Sequence, residues 1–61
     1  MYRVISKCQT KGYKWERTTS KPFIMKEEAD REHKKQAFIA RDRLAKREIV
    51  DYQIETIETF K

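Results

Sequence analysis

Two short runs near the start of the chain have the pattern of strands. Tyr2 to Thr10 sets Val4 and Ile5 among polar residues that strands tolerate, and Tyr13 to Thr19 carries Tyr, Trp and two Thr. Between them lies Lys11-Gly12, with the only glycine of the chain. Gly12 can take the positive φ of a tight turn, so a β-hairpin over residues 2–20 is predicted. With a two-residue loop, Thr10 faces Tyr13, Cys8 faces Trp15 and Lys7 faces Glu16. The last pair joins opposite charges across the ladder, a contribution of about 0.2–1 kcal/mol. Tyr2, Val4, Ser6, Cys8, Tyr13 and Trp15 then share one face, the expected core face, and Arg3, Ile5, Lys7, Lys14 and Glu16 occupy the other. A longer loop with a glycine bulge would shift the register by one, and the sequence is compatible with both.

Pro22 has no backbone donor and ends the second strand, with Phe23 and Ile24 expected as apolar anchors leading into a helix. That helix runs from Lys26 to about residue 49. Its first turn is acidic (Glu27, Glu28) and its last is basic (Lys46, Arg47), as the helix dipole prefers, although Met25 at the N-cap has no side-chain acceptor. At 100° per residue Ala29, His33, Gln36, Ala37, Ala40 and Leu44 form one stripe, edged by Met25 and Ile39. Its small residues let a helix lie close to a sheet, with Trp15, Tyr2 and Ile54 expected to fill the space. Asp51 to Phe60 begins as an alternating third strand, and Ile57 breaks the alternation, which suggests a bulge or an end near Thr56. The predicted order is ββαβ, an α+β mini-domain with a three-stranded sheet and one long helix on one face.

Composition bounds what such a unit can do. With 61 residues there is room for one domain, residues 1–61, and a small core, and a single cysteine excludes an intramolecular disulfide. A core of this size rarely supplies more than about 3–5 kcal/mol, so self-association or a partner chain is expected. No run of 18 apolar residues and no N-terminal apolar signal segment is present, so neither membrane spanning nor secretion is indicated and a cytoplasmic protein is expected.

The net charge of +5 is unevenly placed. Arg3, Lys7, Lys11, Lys14, Arg17 and Lys21 face only Glu16 within residues 1–22, and Lys34, Lys35, Arg41, Arg43, Lys46 and Arg47 face only Asp42 within 34–47. Phe38 points about 180° from Ala29, amid Arg31, Lys34, Lys35 and Arg41. An aromatic ringed by charge is a candidate interface anchor, as readily as it is a lone exposed side chain. These five residues form the first candidate site, with an acidic protein surface as partner. The alternative is a nucleic acid held through phosphates by Lys11, Lys14, Arg17, Arg41, Arg43 and Arg47. Aromatics that interleave with cations in the hairpin suit base stacking, but one alternating strand cannot put Trp15 and Lys14 on the same face, and Trp15 is expected beneath the helix.

Other chemistry is not indicated. His33 lies on the core-facing stripe with no ligand-spaced Cys or His, and Cys8 reads as a small inward hydrophobe. Glu27, Glu28, Asp30 and Glu32 crowd exposed turns, and a chain this small has little concavity in which to perturb them, so an enzyme is not expected and no metal or cofactor is implied.

Lys21-Pro-Phe-Ile-Met-Lys-Glu-Glu-Ala29 resembles the strand-to-helix joint of several small α+β modules, including integrase-type arm-binding domains. Those place three strands before the helix, whereas this chain offers two before and one after, so no binding residues carry over. A free-standing basic chain of this size is also of the kind that bacteriophages and other mobile elements encode.

Overall fold

The computed structural model describes residues 1–59. Strand β1 (Tyr2–Thr10) is followed by β2 (Trp15–Thr19), helix α1 (Lys26–Ala45) and β3 (Ile49–Glu58). The sheet has the order β2-β1-β3 and is antiparallel throughout, with α1 packed on one face. This is the predicted ββαβ arrangement. A strand that returns after the helix takes the vacant edge of β1, the central strand, because a hairpin already occupies the other.

The faces follow from pairing. In β1, Val4, Ser6 and Cys8 turn toward α1, opposite Thr56, Ile54 and Tyr52 of β3. Ala29 and Ala40 are the buried residues of α1. Val4, Phe23 and Ala29 form one apolar cluster with Tyr2 and Ile54. Cys8, Ala40 and Ile49 form a second with Tyr52 and Ile54, so Ile54 joins the two. Between the alanines, His33 Nδ1 lies 3.1 Å from Thr56 Oγ1, a hydrogen bond that ties the helix to β3. The expected filling by Tyr2 and Ile54 is therefore found, and that by Trp15 is not. Ile24 also fails as an anchor: it is exposed, and Phe23 alone turns inward.

The helix ends earlier than the sequence suggests, at Ala45. Arg47 adopts φ 61, and the Arg47 N–H donates to the Leu44 carbonyl while the Glu48 N–H donates to the Arg43 carbonyl. These two bonds form a Schellman motif about the C-cap Lys46, with Arg47 in the left-handed position usually given to glycine. The stop frees Ile49 to enter β3, where it is buried in the core. A helix-favouring run of charged residues hid the boundary, since no glycine or proline marks it.

The third strand stays regular through Ile57, which faces Arg3 on the side away from the helix, so the predicted break near Thr56 is absent. The irregularity lies at the other end, between Gln9 and Thr10. Phe60 lies outside the described residues. Before α1, the Val4 N–H donates to Ser20 Oγ at 2.9 Å, and Tyr2 pairs with Phe23 through two backbone bonds. The extra residue needed between those pairs is accommodated at Lys21-Pro22, where a missing donor costs the ladder nothing.

Candidate functional site

On the helix, Phe38 is 71% exposed. It forms a ridge between two shallow depressions, one bordered by Arg41, Asp42 and Ala45, the other by His33, Lys34, Ala37, Arg41 and Tyr52. Helical spacing puts Lys34 and Lys35 one turn before it and Arg41 one turn after, with Arg31 a further turn back. All four cations are exposed, and the ion pairs of the described residues, Lys7–Glu55, Arg43–Glu48 and Lys46–Asp42, involve none of them. Asp42, which borders the ring, is engaged at 3.0 Å by Lys46, whose ammonium is raised above its ordinary pKa by that hydrogen bond and charge. The five residues of the first candidate site therefore do gather on one exposed surface, left with unbalanced positive charge.

The hairpin departs from the two-residue loop. The Thr10 N–H donates to the Lys14 carbonyl and the Tyr13 N–H to the Thr10 carbonyl, each at 2.8 Å, closing a three-residue loop over Lys11, Gly12 and Tyr13. Tyr13, not Gly12, takes the left-handed conformation, at φ 62. An aromatic there costs about 1–2 kcal/mol, which the surrounding turn bonds must hold in place.

The longer loop shifts the register by one, and the shift relocates every side chain of β2. Gln9 now pairs with Trp15, Cys8 with Glu16 and Lys7 with Arg17. Trp15 leaves the expected core face, and Tyr13 with it: they are 46% and 73% exposed. Trp15, Arg17 and Thr19 lie on the face away from the helix, where Trp15 and Arg17 border an open concavity with Lys7 and Gln53. The expected Lys7–Glu16 pair is replaced by two cations directly opposite each other. Ladder bonds at Val4–Ser20 and Thr10–Lys14 make Lys7–Arg17 a non-hydrogen-bonded pair, the type with the closer side chains. Such a like-charge pair opposes folding by about 0.2–1 kcal/mol. Lys7 finds partial relief 3.9 Å from Glu55 on β3, whereas Arg17 has no carboxylate within reach among the described residues.

The alternative cation set is thus divided among four places. Lys11 and Lys14 sit at the hairpin tip, at the same end of the molecule as Arg47, because Thr10 pairs with Ile49. Arg17 joins Trp15 on the bare sheet face. Arg41 belongs with Phe38, and Arg43 is bound to Glu48 at 3.4 Å. Lys7 was missed as a companion of Trp15, although the longer-loop register contained that signal.

Because α1 lies over β1 and β3 and not over β2, a narrow groove runs between the helix and the second strand. Ser6, Thr18 and Gln36 line both of its ends, with the buried thiol of Cys8 at one of them. At that end it holds about 100 Å³, room for a few waters.

Comparison with family models, with curated proteins and with solved structures gives no match for this chain. Among the described residues, no helix is long and apolar enough to cross a membrane.

Proposed function

We propose that the chain is a small non-enzymatic interaction module, a regulator or accessory protein that docks through Phe38 onto an acidic surface of another protein. The observation that supports this reading is the exposed Phe38 ridge set among Arg31, Lys34, Lys35 and Arg41, with no carboxylate paired to those cations among the described residues. Burying the ring supplies affinity, and the surrounding cations supply on-rate and selectivity for an acidic partner. A free Cys8 thiol suits a reducing compartment such as the cytoplasm.

The test begins with capture of partners from the native cell, with and without nuclease, followed by reconstitution of the captured protein with the purified chain. Phe38→Ala is expected to weaken the reconstituted complex by about 2 kcal/mol or more, as for a central anchor. Raising salt should chiefly slow association. An unchanged affinity for Phe38→Ala would overturn the reading.

A further inference from the structure

The bare face of the sheet carries a second binding surface. We propose that Trp15, Lys7 and Arg17, continued by Lys11 and Tyr13 at the hairpin tip, hold single-stranded nucleic acid, one base stacking on the indole while its phosphates meet the cations. The proposal does not rest on the Phe38 reading, since Trp15 and Phe38 lie on opposite sides of the sheet.

Three features of this hairpin point to an anionic, π-faced ligand. Trp15 lies on the open face beside cations from two strands, Arg17 on its own and Lys7 on the next. Stacking with nearby phosphate contacts requires this juxtaposition. Lys7 and Arg17 are direct cross-strand partners, a repulsion that a phosphate lodged between them would relieve. Tyr13, set at φ 62 by the three-residue loop, is 73% exposed and adds a second aromatic ring at the tip.

Charge also sets the path. The acids of this face, Asp51 and Glu55, are both on β3. An anionic chain is therefore steered along β2 and the hairpin, away from the third strand. An open face with a single indole platform fits an unstacked base, which a duplex does not offer.

Trp15 is the only tryptophan, so its fluorescence reports the site directly. The purified full chain is titrated with a 12-nucleotide oligothymidylate, the same oligomer annealed to its complement, and poly-glutamate. The single strand is expected to quench Trp15, with a slope of log affinity against log salt of about −2 for three phosphate contacts. Anisotropy of a labelled oligomer should show about ten-fold weaker binding for Trp15→Ala, near wild-type binding for Trp15→Phe, and at least as large a loss for Arg17→Glu. Circular dichroism of each variant confirms that it is folded.

Four results would overturn the proposal. The first is no quenching at up to 100-fold excess of oligomer, and the second is equal quenching by poly-glutamate or tighter binding of the duplex. The third is a loss with Lys34→Glu that matches Arg17→Glu, which would put the strand on the helix. The fourth is Trp15 emission that changes with protein concentration alone, since a second copy would then cover the face.

Discussion

The two edge strands of the sheet flank the same central strand yet live in different environments. β3 is covered by the helix and contributes Ile49, Tyr52 and Ile54 to the core, whereas every residue of β2 is exposed and α1 does not reach it. The difference shows how a 61-residue chain divides its few apolar side chains. Apart from Ile5, which is buried on the opposite face of β1, it concentrates its buried side chains where β1, β3 and α1 meet, and it leaves the hairpin's second strand as a ribbon held by backbone bonds, free to carry aromatic and cationic residues outward. The edges are guarded differently as well. On β3, the Tyr52 N–H is taken by the Asp51 carboxylate at 2.7 Å. On β2, alternation leaves the backbone groups of Trp15, Arg17 and Thr19 pointing outward.

Substitution in the covered half should break this contrast most severely. Ile49→Ala removes a fully buried side chain, with an expected loss of about 2–5 kcal/mol. That is comparable to the most a core this small usually supplies, about 3–5 kcal/mol, so the variant should be largely unfolded in a urea titration. Trp15→Ala on the ribbon should stay within about 0.5 kcal/mol of the parent. Equal losses would mean that the ribbon is part of the core.

Backbone strain offers a smaller effect of opposite sign. Arg47→Gly places the residue without a Cβ at φ 61 and should stabilise the fold by about 1 kcal/mol, read as a higher urea midpoint with unchanged slope. A lower midpoint would show that the left-handed turn is absent in solution.

The ribbon should also gain from losing its repulsion. Arg17→Glu turns the Lys7–Arg17 pair into opposite charges and should stabilise by about 0.2–1 kcal/mol. The same change is expected to cost oligonucleotide binding, and that opposition of stability and binding marks a residue kept for a ligand.

The weakest expected effect is a pH dependence at the helix end. Lys46 titrates above its ordinary value beside Asp42, so its contribution to stability is complete below the unfolded lysine pKa and fades as pH rises through the higher folded one. Both side chains are exposed, so the effect is slight. Urea midpoints from neutral pH upward should fall more for the parent than for Lys46→Gln.

How much of this was legible in the sequence varied with the kind of signal. Periodicity found the element order, the Ala29 and Ala40 contacts and the exposure of Phe38, because spacing on a helix translates directly into direction. It failed where a single residue's placement mattered. The hairpin register depended on whether the loop held two residues or three, and period-two geometry turned that one residue into the opposite face for Trp15, Glu16 and Arg17. Gly12 suggested the site of positive φ, but the turn bonds place it at Tyr13. The helix end was obscured for a related reason, since Arg47 fills a glycine position and continues the charged pattern of the helix.

The outward placement of Trp15 supports everything said of the ribbon, and the free protein can test it without a ligand. Because the chain has one tryptophan, its emission and acrylamide quenching report a single side chain. The three-residue loop predicts a water-exposed indole, red-shifted in emission, readily quenched by acrylamide and little changed on unfolding in urea. A blue-shifted emission shielded from acrylamide until the protein unfolds would put Trp15 beneath the helix in the two-residue register and contradict the account.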